Sequence, residues 1–270
     1  MKFLNPSYTC LADEPYLEWT DFGRSPIHRN RLAVIIDLAR QVAPQPASAK
    51  LIEIGCGLGN VARPLASLGY QVTATDIHEP SVVMARHRNS FPNLTFTVGD
   101  PTTGDLRPYD ILVLTEVLEH VSAYRDLLQR IARGMRPGAS LILTVPNGWS
   151  PTECMCRPSY AMKKYRAGVA FVHAVKRMLG TEDVTTANEQ TPHVNFFTRG
   201  RLMHLFADCG LRAEAMVPQF WLWPLYETFF SRHTLPDGLA GFDFRLAQRL
   251  PVAWTSFWAF LLIKQPDTKP

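Results

Sequence analysis

Several features that would point to a particular class of protein are missing from this sequence. Only 5 of its 270 residues are cysteine and none forms a Cys-x-x-Cys pair, so neither a disulfide framework nor a tetrahedral zinc site is expected. The first residues lack the apolar stretch of a secretory signal. The longest charge-free apolar run near the end, residues 250–263, contains a proline and is shorter than the roughly 20 residues that cross a bilayer. These absences predict a cytoplasmic protein without a membrane-spanning segment.

The composition nevertheless supplies enough apolar material for one sizeable core. Hydrophobic residues make up 46% of the chain and charged residues 19%, proportions that indicate a globular protein rather than a disordered one. The formal net charge of +4 is too small by itself to indicate nucleic acid, which is therefore not the expected partner. Phenylalanine, tyrosine and tryptophan total 29, and 12 of them fall between residues 215 and 260.

Short apolar segments alternate with helical ones from residue 50 onward. This alternation predicts an α/β fold with a mostly parallel sheet that carries helices on both faces. Seven strands are predicted, with the last antiparallel: 50–54, 71–75, 94–98, 110–114, 140–145, 211–217 and 254–263. Helices are predicted over 27–42 and 79–89, and Ser122 and Thr198 are the predicted N-caps of two more.

Three glycines, Gly55, Gly57 and Gly59, follow the first predicted strand of the sheet, where a helix is about to begin. Glycine there permits a tight turn and lets backbone N–H groups approach a ligand at the positive end of the helix. Asp76 ends the next strand, where an acid can accept hydrogen bonds from both hydroxyls of a ribose. Asn60 stands where a dinucleotide-binding loop would have its third glycine, which argues against NAD.

The ordered motifs of residues 50–146 resemble those of class I S-adenosylmethionine-dependent methyltransferases, which have a Rossmann-like fold. They are Glu53-Ile-Gly-Cys-Gly-Leu-Gly59, Thr75-Asp76-Ile77, Gly99-Asp100-Pro101 and the stretches 109–121 and 136–147. The resemblance implies S-adenosylmethionine as the cofactor. It places Glu53 and the three glycines at the methionine end of that cofactor. By the same resemblance Asp76 lies at the ribose and Asp100 and Pro101 lie at the adenine edge. Thr115, near the fourth strand, and Ile77 also bind the cofactor by this resemblance.

Glu116, Glu119 and His120 follow the fourth predicted strand with i, i+3 and i+4 spacing. One helical turn would put all three on one face, at the sheet edge where ligands bind in such folds. Two carboxylates and an imidazole suit either acid/base catalysis or a hard divalent metal such as Mg²⁺. His193, just before the late helix, is a fourth candidate for both roles.

Two more specific resemblances concern these residues. The ubiquinone-type O-methyltransferases have a similar Glu-x-Leu-Glu-His turn and an N-terminal stretch like Trp19…His28-Arg-Asn-Arg31-Leu, by which Arg31 could reach the cofactor carboxylate. The small-RNA 3′-terminal 2′-O-methyltransferases pair Glu-x-x-Glu-His with a later histidine and bind a divalent metal there. Both resemblances imply methylation of oxygen.

The expected function is O-methylation of a small hydroxylated acceptor, which is phenolic, lipid-linked or glycosyl. One alternative is metal-dependent methylation of an RNA 3′ end. The other is a non-catalytic protein that binds the cofactor or associates with a membrane. The sequence leaves the oligomeric state open.

Four regions of the chain are expected. Residues 1–49 form an N-terminal helical cap, 50–146 the cofactor-binding core, 147–193 a basic amphipathic insertion or lid, and 194–270 the C-terminal part of the fold with an aromatic insertion at 218–251. Within the first insertion, residues 154–181 carry six basic residues and no acid. Such a segment can contact an anionic membrane peripherally, or it can pack as a lid with a solvated basic rim. The aromatic insertion can line an acceptor pocket, form a dimer face or make its own core.

Overall fold

The computed structural model describes residues 2–3, 15–21, 25–162, 193–230 and 237–266. Within these ranges eight strands form one sheet, and eight α-helices accompany it. The strands are β1 (Lys2–Phe3), β2 (Lys50–Ile54), β3 (Gln71–Asp76), β4 (Leu94–Val98), β5 (Ile111–Thr115), β6 (Ser140–Pro146), β7 (Leu211–Gln219) and β8 (Phe257–Lys264). The helices are α1 (Pro26–Val42), α2 (Ala62–Ser67), α3 (Glu79–His87), α4 (Tyr124–Gly134), α5 (Pro151–Met162), α6 (Arg199–Asp208), α7 (Trp223–Phe230) and α8 (Asp237–Ala247).

The strand order in the sheet is β1-β7-β8-β6-β5-β2-β3-β4. β8 runs antiparallel to both of its neighbours, and the other paired strands are parallel. The seven predicted strands are all present, including the antiparallel last one. The two-residue β1, which pairs with Ala215 and Met216 of β7, is an addition at the edge that the sequence did not predict.

Alternate residues of the central strands enter two cores, one on each face of the sheet. Ile111 and Val113 of β5 pack in the core formed with α1, α2, α3 and α8, whereas Leu112 and Leu114 pack in the core formed with α4 and α6. This two-sided burial explains why the strand sequences are continuously apolar rather than alternating. Because β2, β3, β5 and β6 pair in parallel, their carboxyl ends lie at one edge of the sheet.

Some predicted boundaries were wrong. Ser122 does not cap α4; the N-cap is Ala123, which offers no capping side chain. Thr198 does cap α6, because its side chain accepts a hydrogen bond from the backbone of Arg201. β8 begins at Phe257 rather than at Trp254, since residues 252–254 form a 3₁₀ turn that leaves Trp254 exposed.

The predicted insertions are only partly described. Residues 163–192 lie outside the described ranges, so most of the basic amphipathic segment cannot be compared with its prediction. The aromatic insertion at 218–251 contains α7 and α8, and three of its aromatic side chains, Phe220, Trp223 and Phe244, pack in the core with α1. Among the described residues, no helix is both long and apolar enough to cross a membrane.

Candidate active site

The glycine loop joins β2 to α2 in a conformation that ordinary residues disfavour. Gly55, Gly57 and Gly59 have φ angles of 79°, 50° and 77°, in the left-handed region. A Cβ at Gly55 would lie 2.6 Å from Val117 Cγ2, and one at Gly59 would lie 2.6 Å from Phe96 Cζ. A Cβ at Gly57 would meet nothing within 4 Å. Packing therefore requires the outer two glycines, whereas the middle one faces open space that a ligand can fill.

Two acids at the strand ends adjoin this loop. Asp76 accepts hydrogen bonds from the backbone N–H groups of Gly57 and His78, each at 2.8 Å, and so fixes the loop. Glu53 is buried, and its Oε2 has no hydrogen-bond partner among the described residues. Burial raises the pKa of Glu53 from 4.5 to about 8. An unsatisfied buried oxygen beside an open cradle fits the polar methionine end of S-adenosylmethionine.

The residues predicted to face the adenine and ribose lie along the ends of β3 and β4. The side chain of Ile77 is 79% exposed, an apolar surface that a flat ring could cover. Asp100 accepts hydrogen bonds from Thr102 N at 2.9 Å and from Arg130 Nη1 at 2.8 Å. Burial alone would raise the pKa of Asp100, but these hydrogen bonds outweigh it and lower the pKa. Pro101 begins the 3₁₀ turn that Asp100 caps, and the roles of both at the adenine stay predictions.

At the end of β5, Thr115 Oγ1 is buried without a hydrogen-bond partner among the described residues. Such a hydroxyl is costly to leave unsatisfied, so it marks a position where a ligand can form a hydrogen bond. Its predicted contact with the cofactor agrees with this geometry and stays a prediction.

Glu116 departs from its predicted position. Its φ of 53° is left-handed, so the chain turns sharply after β5 and the predicted helical turn through Glu116 does not form. The Glu116 carboxylate lies 3.0 Å from Arg31 Nη2 and accepts a hydrogen bond from Thr144 Oγ1 at 2.9 Å. Arg31 also stacks over the ring of Phe257 at 5.0 Å. Arg31 is therefore engaged by Glu116 and Phe257, and a contact with the cofactor carboxylate remains a prediction.

The other three predicted catalytic residues come together. Leu118–His120 form a 3₁₀ turn, and ligand atoms of Glu119, His120 and His193 all lie within 4.8 Å of one another. The imidazole rings of His120 and His193 meet edge to face at 4.9 Å. The predicted set of four is thus a cluster of three, because Glu116 points toward Arg31 instead.

Glu119 is the most deeply buried member of the cluster, with 0% exposure and no hydrogen bond to either carboxylate oxygen within the described chain. Burial, reinforced by the nearby charge of Glu116, raises the pKa of Glu119 well above its usual range. Burial therefore disfavours the charged form of Glu119 unless a cation or a hydrogen-bond donor accompanies it.

Backbone and amide hydrogen bonds hold the segment that carries His193 against the turn. The backbone N–H groups of Val194 and Asn195 donate to the carbonyl of Glu119 at 2.8 and 3.1 Å. The Asn195 amide donates to the carbonyls of Leu118 and Val121 at 2.9 and 2.8 Å. Sequence reasoning missed Asn195, because no periodic pattern indicates a side chain that donates hydrogen bonds to the carbonyl groups of a turn 74 or more positions away.

Sequence reasoning also missed Glu153 and Arg130. Glu153 of α5 is buried and contacts His193 at 3.2 Å. The available signal was that Glu153 is the only acid between residues 147 and 181. Arg130 follows Asp126 by one helical turn, and nothing in the sequence indicates that it also contacts Asp100.

Comparison with known proteins shows which family this chain belongs to. A family model described as a methyltransferase domain matches residues 27–215, which is more than half of the chain. The chain belongs to this methyltransferase family. The ubiquinone biosynthesis O-methyltransferase of Rhodopseudomonas palustris (strain BisA53) is 30% identical over 146 residues, covering 48% of this chain and 58% of that protein. The chain spans about half the length of the curated relatives that it matches.

Solved structures share the fold of this methyltransferase. An S-adenosylmethionine-dependent methyltransferase from Mesorhizobium loti has a TM-score of 0.55 at 12% identity, covering 88% of this chain and 97% of that one. The magnesium protoporphyrin IX methyltransferase from Synechocystis, solved with bound S-adenosylhomocysteine, has a TM-score of 0.51 at 16% identity, covering 91% and 89%. The predicted class I fold, methyltransferase family and cofactor type are confirmed by these comparisons and by the strand order.

Proposed function

We propose that this protein transfers the methyl group of S-adenosylmethionine to a hydroxyl oxygen of a small acceptor of phenolic, lipid-linked or glycosyl type. The observation that carries the proposal is the cluster of Glu119, His120 and His193 beside the carboxyl end of β5. Histidine titrates near neutrality, so a histidine here can take the proton that a hydroxyl loses on methylation. Relatives named ubiquinone biosynthesis O-methyltransferase support oxygen as the accepting atom.

The chain's own residues divide the work between binding and proton transfer. When bound, the cofactor supplies an electrophilic methyl group on a sulfonium sulfur. Glu53 and the glycine loop would hold its methionine end and Asp76 would hold its ribose, and holding both ends would position the cofactor for transfer. Burial favours the protonated form of Glu119, and in that form its side chain can donate a hydrogen bond to the acceptor.

Calorimetric titration with S-adenosylmethionine tests the binding half of the proposal. We expect the wild-type protein to bind and Asp76→Ala to bind at least about tenfold more weakly, since it loses a charge-assisted hydrogen-bond acceptor. Asp105→Ala is the matched control, because Asp105 is an exposed acid paired with Arg107. Failure of the wild type to bind would contradict the proposal.

Methyl transfer to an acceptor panel tests the catalytic half. The panel holds catechols, lipid-linked phenols, glycosides and a short RNA with a free 3′ diol. We expect transfer to a hydroxylated small molecule and a reduction of about 10²–10⁴-fold in His193→Ala, the range that general base catalysis contributes. Transfer to the RNA would favour the RNA alternative, and cofactor binding without any transfer would favour a non-catalytic protein.

The cluster also favours a second role, the binding of a divalent cation such as Mg²⁺. Three potential ligand atoms lie within 4.8 Å of one another, and both Glu119 oxygens are buried without hydrogen bonds among the described residues. The residues that would hold the cation are Glu119, His120 and His193, and the cation would stabilise negative charge on the acceptor oxygen. Calorimetric titration with Mg²⁺ tests this role directly. Heat of binding that disappears in His193→Ala would support it, and activity unchanged by EDTA would contradict it.

We further propose that the enzyme acts in the cytoplasm on a small-molecule or lipid-linked substrate, with peripheral membrane contact through residues 154–181. Cys56, Cys154 and Cys209, which lie within the described ranges, are free thiols, which supports a reducing compartment. Pelleting with anionic lipid vesicles tests the contact, and charge reversal at Lys163, Lys164, Lys176 and Arg177 should abolish it.

A further inference from the structure

Glu153 is a buried carboxylate that contacts the catalytic cluster from a separate segment of the chain. It lies in the first turn of α5 with only 5% of its surface exposed. Both of its carboxylate oxygens lie 3.2 Å from Nδ1 of His193. This distance is hydrogen-bond contact between a carboxyl oxygen that can accept and a ring nitrogen that can donate.

The two segments that carry Glu153 and His193 are fixed to each other. The backbone N–H of Gly148 donates to the carbonyl of Phe197 at 3.0 Å, and a Cβ at Gly148 would lie 2.6 Å from the Phe196 backbone. Arg157 donates to the carbonyl of Gly148 and stacks against Phe196 at 4.5 Å. The start of α5 therefore packs directly on residues 193–197, which preserves the contact between carboxylate and imidazole.

The start of α5 also fixes the orientation of Glu153. Ser150 Oγ accepts a hydrogen bond from the Glu153 backbone N–H at 3.1 Å. This is N-capping geometry, which stabilises the first turn of α5 and so fixes the backbone position from which the Glu153 side chain extends.

A hydrogen bond from Nδ1 to a carboxylate determines which nitrogen of a neutral imidazole bears the hydrogen. Nδ1 must carry it in order to donate to Glu153, and Nε2 is then left with its lone pair. By contrast, His120 Nε2 lies 3.8 Å from Glu119 Oε1, beyond hydrogen-bond distance. The ring of His193 therefore contacts a carboxylate at hydrogen-bond distance, which the contact between His120 and Glu119 does not reach.

We propose that Glu153 is a positioning residue that fixes His193 in the Nδ1–H tautomer and leaves the lone pair on His193 Nε2. This inference rests on the proposed O-methylation and deepens it. As the acceptor oxygen bonds to the methyl carbon, the carbon–sulfur bond breaks and its electron pair stays on sulfur. The hydroxyl proton is released to water through the histidines of the cluster, in which Glu153 determines which nitrogen of His193 carries the lone pair.

The tautomer can be measured without any turnover. In long-range ¹H–¹⁵N spectra of ¹⁵N-histidine protein, the His193 signals are assigned by their loss in His193→Asn. We expect wild-type His193 to show a protonated Nδ1 and an unprotonated Nε2. Glu153→Ala should shift the ring toward Nε2–H or a mixture, whereas Glu153→Gln, whose carbonyl oxygen still accepts, should retain Nδ1–H. An unchanged His193 spectrum in Glu153→Ala would overturn the proposal.

Kinetics separate positioning from a purely structural role. We expect Glu153→Ala to lower kcat by about 10–100-fold, as loss of a group that orients a functional histidine commonly does, while KM for S-adenosylmethionine stays close to that of wild type. Glu153→Gln should recover part of this loss. Cys154→Ala, an exposed neighbour on the same helix, is the control and should retain wild-type kcat. Equal losses in the alanine and glutamine variants, or a change confined to KM, would overturn the proposal.

The two measurements distinguish the failure of this inference from failure of the proposed function. If no acceptor is methylated by the wild type, the proposed function fails, yet the spectra still decide whether Glu153 sets the tautomer. If methylation occurs but the tautomer and kcat do not respond to Glu153→Ala, the inference alone fails.

Discussion

At the residue scale, one carboxyl group in a strand and one in the turn after another strand have fewer hydrogen bonds than their burial demands. Glu53 Oε2 and both oxygens of Glu119 are buried without partners among the described residues. An ionised carboxylate in such surroundings is strongly disfavoured, so both side chains retain protons at higher pH than usual. Functional sites commonly concentrate such unsatisfied groups, because a ligand supplies the missing interactions.

Glu53 predicts a pH dependence of stability in the cofactor-free protein. Its pKa is 4.5 in ordinary surroundings and about 8 in the fold. Between these values the folded state holds a proton that the unfolded state has lost, so the free energy of unfolding falls as pH rises, by up to about 1.4 kcal/mol per unit. Glu53→Gln has no titrating group at this position. As pH rises from 4.5 to about 8, its free energy of unfolding should therefore increase relative to that of the wild type.

Urea denaturation of both proteins at pH 5, 7 and 9 checks this expectation. The stability difference should increase from pH 5 to pH 7 and level off above pH 8. Comparison of variant with wild type cancels the contribution of Glu119, which acts in the same direction in both. A difference that is constant with pH would contradict the raised pKa of Glu53.

The sequence predicted those site residues whose role follows from a local pattern. A glycine triplet after a strand and an acid at the end of the next strand mark the loop that Gly57 and Asp76 form. The contact of Glu153 with His193 joins residues 40 positions apart, and the pair of Arg31 with Glu116 joins residues 85 apart. Such pairs depend on how the helices pack, for which a single sequence carries no periodic signal.

At the element scale, the end of β5 shows why spacing alone misplaced one residue. The i, i+3, i+4 pattern is typical of a helical turn, but the backbone N–H of Glu116 still donates to Thr144 on the neighbouring strand. Val117 then packs against Gly55, which requires a sharp turn, and Glu116 takes a left-handed conformation to make it. The strand thus extends its pairing by one residue and sends Glu116 toward α1 and Glu119 toward His193.

The ion pair between Arg31 and Glu116 is expected to attach α1 to the sheet. Both side chains are largely buried, at 8% and 17% exposure. Removing one partner leaves the other charge uncompensated, so Arg31→Met should cost about 3–5 kcal/mol of unfolding free energy. The double variant Arg31→Met/Glu116→Gln should cost less than the sum of the single variants, because neither charge then remains unpaired.

Urea denaturation of the two single variants and the double variant gives this coupling energy. Arg40→Met is the control, since Arg40 lies exposed in the last turn of the same helix and should change stability by no more than about 0.5 kcal/mol. Additive effects in the double variant would contradict a functional ion pair.

At the scale of the whole molecule, the sequence predicted the sheet and both helical layers but not the use of the aromatic surplus. The strands and helices follow from alternating apolar and helical segments, which are local patterns. Whether aromatic residues at 218–251 line a pocket or fill a core depends on what packs against them. In the fold, Phe220 and Phe244 meet edge to face at 5.7 Å, in the same core as Leu32 and Ile35 of α1.

Because these aromatic residues belong to the core of the sheet, the insertion should not unfold separately. Phe244 is fully buried, and Phe244→Ala should cost about 3–5 kcal/mol. For a chain of this size that corresponds to a lowering of Tm by roughly 10 °C. Phe242→Ala is the matched control, because Phe242 lies on the same helix with 58% exposure and its loss should leave Tm nearly unchanged.

Far-UV circular dichroism, which follows the whole chain, and tryptophan fluorescence, which is weighted toward the aromatic region, should report the same transition in Phe244→Ala. Cofactor binding at 25 °C should persist, since the substitution is distant in sequence from the glycine loop. Two separated transitions, with the fluorescence change preceding the loss of helix, would instead make residues 218–251 an independent unit. The shared core of Phe220, Phe244 and α1 leads us to expect a single one.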